Sequence, residues 1–391
     1  MIRIKSDKIF HVNGTFTSGV IDIERDKIQT ILTDVDGNQK EINIEEKEII
    51  DATGMYVIPG LVDIHFHGCV GYDFCNGTIE AIDAITKYEL SQGVTSISPA
   101  TMTLSREELN KIFTTAGEYI KDTNKCDDFS RSTIKGITME GPFVSLAKKG
   151  AQNGAYIHKP DVDFYREMQN ACGGLIKQVA VAPEEDKELE FTKEISKECV
   201  ISVAHTAAIY DIADKAFKEG ATHATHLFNA MPPFHHRDPG VIGAVVENEH
   251  VYAEMICDGV HIHPAMVRAM FNILGPERIC MISDSMEATG LSDGNYTLGG
   301  QAVKVTGKKA TLADGTIAGS ASNLMDCLRV AVNDMNICLE SVVKACTITP
   351  AKSLGIDREI GSLEVGKLAD IVILDKELNI VKIIKSGKVV F

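Results

Sequence analysis

The chain has 391 residues, 44% hydrophobic and 24% charged, with a formal net charge of −16. That length and apolar content allow one large core and a smaller second unit. The acidic balance excludes a broad basic surface for nucleic acid or an anionic membrane, and the apolar runs fall short of the ~18 residues that a membrane span needs.

Residues 1–54 read as short alternating strands, such as 19–26 and 28–32, separated by turn residues. The first residues lack the basic and apolar regions of a secretory signal. The end of the chain, 354–391, repeats the pattern, with strands expected at 369–374 and 380–390. Neither piece can make a stable sheet alone, so the two are expected to pair into one small β-sandwich. Between them, residues 55–353 hold eight apolar, β-branched-rich runs: 57–64, 94–98, 134–139, 175–182, 200–204, 221–225, 251–256 and 278–282. The gaps suit helices. Ser105 and Glu108 form a capping-box pattern, Pro264 suits a first helical turn, and Gly93 and Gly220 follow periodic apolar segments.

Eight such alternations predict an α/β fold, a (β/α)8 barrel whose chemistry collects at the C-terminal ends of its strands. An open doubly wound sheet is the α/β alternative; no G-x-G-x-x-G follows the first strand to support it. The ten cysteines contain no C-x-x-C pair and are expected to be reduced and mostly buried in a cytoplasmic protein. Cys69 and Cys75 are read as loop-packing residues rather than ligands.

Six residues end these runs: His65, His67, Glu140, His205, His226 and Asp284. Residues i and i+2 of a strand share a side, so His65 and His67 can reach one ion. A carboxylate at Glu140 can coordinate or bridge divalent metal, and imidazoles from adjacent strands suit zinc or iron. A single histidine is more often structural than ligating; the ordered set reverses those odds. Asp284 is placed to take a proton from a water acidified by the ion.

The stretches 59–68, 139–143, 225–232, 237–240, 258–261 and 312–320, with the Gly366–Asp370 tail, resemble the amidohydrolase superfamily and, within it, the N-acetylglucosamine-6-phosphate deacetylases. The H-x-H and the tail are common to much of the superfamily; the segments around Asn229, Arg237 and His261 are narrower. This resemblance implies that Glu140, His205 and His226 bind metal, with His65 and His67 adding a second site bridged by Glu140. It implies one or two divalent ions, zinc or iron, per chain. Asp284 is then the general base and acid, and Asn229, Ala230 (through its backbone), Arg237 and His261 contact the substrate.

The implied reaction is hydrolysis of N-acetylglucosamine 6-phosphate to glucosamine 6-phosphate and acetate by metal-activated hydroxide, in a homodimer. One position departs from the family pattern. Gln152 stands where a histidine usually holds the substrate, and an amide donates hydrogen bonds but carries no charge. A deacetylase of the galactosamine type, a cyclic-amide hydrolase, a nucleobase deaminase and a non-catalytic sugar-phosphate binder are the alternatives. Ala182-Pro183-Glu184 ends the fourth run without a lysine, which disfavours relatives whose metals share a carboxylated lysine.

Overall fold

In the computed structural model, residues 1–35, 48–123 and 129–391 are described; Cys126 and the 36–47 part of the expected terminal unit lie outside them. Eight parallel strands curl into a barrel in chain order. They are Leu61–Asp63, Val94–Ile97, a third strand in two pieces (Thr133–Ile134 and Ile137–Met139), Ile176–Val181, Val200–Val203, His223–Ala224, Tyr252–Ile256 and Ile279–Ile282. The first piece of the third strand pairs with Val94–Ile97 and the second with Ile176–Val181, so the break passes the sheet on without ending it. At the seam Asp284 N–H donates to His65 O at 3.0 Å, and the buried Asp63 carboxylate accepts Ser283 N–H at 3.3 Å. Strands buried on both faces read as unbroken apolar runs, as Ile279–Ile282 does.

Helices follow the strands, among them Ile79–Ser91, Arg106–Thr123, Val162–Ala171, Tyr210–Lys218 and Pro264–Leu274. Glu108 N–H donates to Ser105 Oγ at 3.3 Å and Ser105 N–H to Glu108 Oε2 at 3.1 Å, both halves of the capping box. Pro264 opens its helix, where its missing N–H has no intrahelical role.

The terminal segments meet in one hydrogen-bonded eight-stranded sheet. Its strands are Ile2–Phe10, Phe16–Glu24, Lys27–Thr33, Glu48–Asp51, Tyr56–Pro59, Ile371–Leu374, Ile380–Lys385 and Lys388–Val389. Ile4, Ile21, Ile28, Ile371 and Ile384 pack its core.

Two expectations need correction. The run 57–64 is not one barrel strand: Tyr56–Pro59 pairs antiparallel with Ile371–Leu374, and only Leu61–Asp63 enters the barrel. The change of sheet falls at Gly60, where a Cβ would lie 2.2 Å from Thr95 Oγ1, so the chain passes Thr95 only as glycine. A three-stranded antiparallel sheet, Gly294–Leu298, Gln301–Thr306 and Lys309–Thr311, was also not expected. It packs Leu298 and Val303 against Met102, Ala151 and Met286 beside the barrel mouth. Its signal was present in the alternation of 301–306 and in the Gly299-Gly300 turn.

Among the described residues no helix is long and apolar enough to cross a membrane. The nine described cysteines are free. Cys69 is buried, and Cys75 Sγ accepts Met102 N–H at 3.2 Å.

Candidate metal centre

All six run-ending residues gather at the C-terminal ends of the strands. They form two groups, His65–His67–Asp284 and Glu140–His205–His226, each with its ligand atoms within 4.8 Å of one another. The groups adjoin. Glu140 Oε1 lies 3.1 Å from both His205 Nε2 and His226 Nε2 and 3.5 Å from His65 Nε2, while Oε2 lies 3.4 Å from His67 Nε2. Asp284 Oδ1 lies 3.2 Å from His67 Nε2 and 3.9 Å from His65 Nε2.

The backbone holds these side chains in unusual turns. His205, His226 and Asp284 have φ of +42°, +29° and +49°, a region that a side chain normally avoids at ~1–3 kcal/mol each. A hydrogen bond to each carbonyl braces it, from distant segments for His205 and Asp284 and from within the same turn for His226. His205 O accepts Ser145 N–H at 2.9 Å, His226 O accepts Asn229 N–H at 2.9 Å, and Asp284 O accepts Ser320 N–H at 2.7 Å.

Hydrogen bonds also set the tautomers of His205 and His65, whereas Nδ1 of His67 and of His226 has no partner among the described residues. His205 Nδ1 lies 3.0 Å from Lys148 O, which can only accept, so the proton is on Nδ1 and Nε2 presents a lone pair. His65 Nδ1 donates in the same way to Glu254 Oε2 at 2.9 Å, and Gln178 donates to the other oxygen of Glu254. The remaining buried atom, His65 Nε2, has no hydrogen-bond partner. His205 Nε2 and His226 Nε2 stand 3.2 Å apart, both against Glu140 Oε1. Lone pairs converging in this manner repel one another unless a cation sits among them, so the donor set fits a divalent ion.

Without an ion, protons on the imidazoles take the cation's place: burial lowers the proton affinity of His65 and His67, but the carboxylates beside them outweigh it. Burial would push Glu140 and Asp284 up, but the imidazoles around them outweigh it. His65 and His205 hold Glu140 well below the usual carboxylate range, and the His67 hydrogen bond leads in lowering Asp284. Both acids are therefore ionised at neutral pH.

A cavity of about 390 Å³ opens over the centre. His67, Glu140, Gln152, His205, His226, Asn229, Ala230, His261 and Asp284 line it, whereas His65 is fully buried behind them. His261 Nδ1 is held by Asp258 Oδ2 at 2.8 Å, leaving Nε2 for the cavity. Burial lowers the proton affinity of His261, but the Asp258 hydrogen bond and charge outweigh it and raise its pKa.

Two expected substrate contacts are placed differently from the rest. Arg237 is exposed and outside its own chain's cavity lining, with Nη1 2.8 Å from His236 Nε2. Gln152 lines the cavity, but its amide is already engaged, with Oε1 accepting Thr103 N–H at 2.6 Å and Nε2 donating to Glu140 Oε2 at 2.7 Å.

Sequence reasoning missed Lys148, Met102, Leu298 and Ile317 in the wall, and Glu254 and Asp258 behind it. Glu254 had a signal: an acid inside the otherwise apolar run 251–256.

Comparison with known proteins agrees with this architecture. The amidohydrolase family matches residues 56–390. An N-acetylglucosamine-6-phosphate deacetylase of Bacillus subtilis is 36% identical over 391 residues, covering 100% of this chain and 97% of its own. The human N-acetylglucosamine-6-phosphate deacetylase is 30% identical over 368 residues, covering 90% and 88%. A Mycobacterium smegmatis N-acetyl-D-glucosamine-6-phosphate deacetylase variant, solved in complex with N-acetyl-D-glucosamine-6-phosphate, superposes with TM-score 0.90 at 30% identity over 100% of this chain and 99% of its own. The Thermotoga maritima N-acetylglucosamine-6-phosphate deacetylase gives TM-score 0.87, again at 30% identity, over 100% and 99%. The chain therefore belongs to the amidohydrolase family, in the branch whose curated relatives are N-acetylglucosamine-6-phosphate deacetylases.

Proposed function

We propose that this chain hydrolyses the acetamide of N-acetylglucosamine 6-phosphate, giving glucosamine 6-phosphate and acetate. The observation that carries this reading is the convergence of four imidazoles and two ionised carboxylates beneath one cavity, in a chain aligned from end to end with deacetylases of that substrate. Glu140, His205 and His226 would hold one ion, and His65, His67 and Asp284 are the candidates for a second. Zinc and iron both suit these donors. When bound, the ion supplies Lewis acidity and an acidified water.

The protein's own groups do the rest. Ionised Asp284, at the cavity wall, takes the proton from water attacking the acetyl carbonyl and returns it to the departing amine nitrogen. His261, fixed by Asp258, offers Nε2 to the sugar or its oxyanion. Asn229 and the backbone of Ala230 form the adjoining wall, and Lys148 places a cation there for the phosphate.

Arg237 supports a homodimeric reading. Its loop is exposed, includes Phe234 at 42% exposure, and is not part of its own cavity wall, so a neighbouring subunit's phosphate is its proposed partner. The cytoplasm is the proposed location, consistent with free cysteines.

The test is acetate release from N-acetylglucosamine 6-phosphate, its galactosamine epimer and the unphosphorylated sugar. A preference of at least about tenfold for the phosphorylated glucosamine substrate is expected, a difference of ~1.4 kcal/mol in transition-state binding. Equal rates on the unphosphorylated sugar would remove the phosphate roles of Lys148 and Arg237, and faster turnover of the epimer would reassign the substrate.

A further inference from the structure

We infer that Gln152 is a positioning residue for Glu140 rather than a substrate contact; the inference rests on the metal reading of the site. Its orientation follows from chemistry alone. The Glu140 carboxylate only accepts and the Thr103 N–H only donates, so the amide NH₂ must face Glu140 and the amide oxygen must face Thr103. The contacts are short, 2.7 and 2.6 Å, and Gln152 is 1% exposed. Its nitrogen also lies 3.6 Å from Met102 Sδ, a weak acceptor that occupies the other N–H direction. Both ends of the amide are therefore committed before any ligand enters. A side chain so committed would have to give up a buried hydrogen bond to reach a substrate carbonyl.

The consequence falls on Glu140. Gln152 occupies a lone pair of Oε2 and turns Oε1 toward His205 and His226, at 3.1 Å from each. Oε1 is thereby pre-aimed at the ion expected between those three side chains. The His65–His67–Asp284 group must then rely chiefly on its own three donors, because the Glu140 oxygen nearest His67 is the one that Gln152 holds. The two ion positions are consequently unequal, with the Glu140–His205–His226 position the tighter. The neutral amide also suits this place. It lends a donor to the carboxylate without adding a positive charge that would repel the ion.

The experiment is a zinc titration of chelator-stripped full-length protein against a competing chromophoric chelator, comparing wild type with Gln152→Met, Gln152→Asn and Gln152→His. Gln152→Met deletes the donor at similar volume, and Gln152→Asn keeps an amide too short to span both partners. Each should weaken the tighter zinc site by ~10–100-fold, the usual effect of removing a hydrogen bond to a ligand. Gln152→His keeps an N–H donor and should stay within about threefold of wild type.

At saturating zinc, the KM for N-acetylglucosamine 6-phosphate should be unchanged in Gln152→Asn. Unaltered zinc affinity with a raised KM would overturn the inference and return Gln152 to the substrate; unaltered affinity and KM would overturn it as well. Should Gln152→Met not fold, the Asn and His pair still separates a lost donor from a retained one. The titration needs no turnover, so a wild type that binds zinc but ignores the sugar phosphate refutes the proposed substrate alone. A wild type that binds no zinc overturns the metal reading and this inference together.

Discussion

Buried charge is handled in opposite ways at the barrel mouth and in the terminal sheet. In the sheet, each acid meets one base: Lys385 Nζ lies 2.6 Å from Asp370 Oδ2, with the two side chains 3% and 4% exposed, and Arg3 Nε lies 2.6 Å from Asp22 Oδ1. Ser386 N–H adds a further bond to Asp370 Oδ1 at 2.8 Å, so that pair is well supplied with partners. At the mouth, two carboxylates are shared among four imidazoles, two ring nitrogens face each other, and a buried ring nitrogen has no hydrogen-bond partner. The difference separates charge placed for structure from charge placed for chemistry. The first is closed within the protein, whereas the second leaves room for an ion and a reacting group.

The largest expected effect breaks the comparison on its chemical side. Asp284→Asn should lower kcat by ~10³-fold or more, because the amide cannot carry the proton, yet leave the ion of the Glu140 group in place. Steady-state acetate release together with metal analysis checks both halves, and normal turnover would remove Asp284 from the chemistry.

The structural side should break differently. Lys385→Met strands Asp370 without its base and should destabilise the fold by about 3–5 kcal/mol in urea unfolding, leaving kcat of the folded protein unchanged. Replacing both partners, Lys385→Met with Asp370→Leu, should recover most of that loss.

A pH series sharpens the contrast through two buried groups on the barrel strands. Burial lowers His223 from 6.5 to about 4 and raises Asp63 from 3.8 to about 7. For His223 the unfolded chain binds the proton first, so its neutral burial is fully tolerated above pH 6.5 and stability is lost as pH falls from 6.5 toward 4. Asp63 acts with the opposite sign, since the folded state keeps its proton and stability is lost as pH rises from 3.8 toward 7. His223→Leu removes only the first effect. Relative to wild type, the variant should gain about 2 kcal/mol between pH 7.5 and pH 5 in urea unfolding of metal-free protein. A pH-independent difference between the two would show that His223 is not buried in the neutral form.

The smallest effect lies at an exposed cap. Ser105→Ala removes both bonds that Ser105 Oγ makes with Glu108 and should lower stability by ~1 kcal/mol without touching activity.

How far the sequence could be read depended on how local each determinant was. The stretch Ile279–Ile282 was legible because a parallel strand buried on both faces needs continuous apolar residues. His65, Glu140, His205, His226 and Asp284 were legible as polar residues closing such runs. The switch of sheet at Gly60 was not, because it depends on Thr95, which is distant in sequence. Nor could the positive φ of His205 and Asp284 be seen, since each is braced by a hydrogen bond from a distant segment, Ser145 for one and Ser320 for the other. Gln152 shows the limit most clearly. The residue type announces a donor and an acceptor, but only the fold says that Glu140 and Thr103 use them.

The most direct measurement is acetate release from N-acetylglucosamine 6-phosphate by the same protein sample before chelation, after chelation and after zinc is restored, with bound metal quantified at each stage. Metal-dependent deacetylation requires turnover to fall with the ion and return with it, tracking occupancy of the Glu140–His205–His226 position. Turnover that persists in metal-free protein, or a fully loaded protein that releases no acetate, would contradict it.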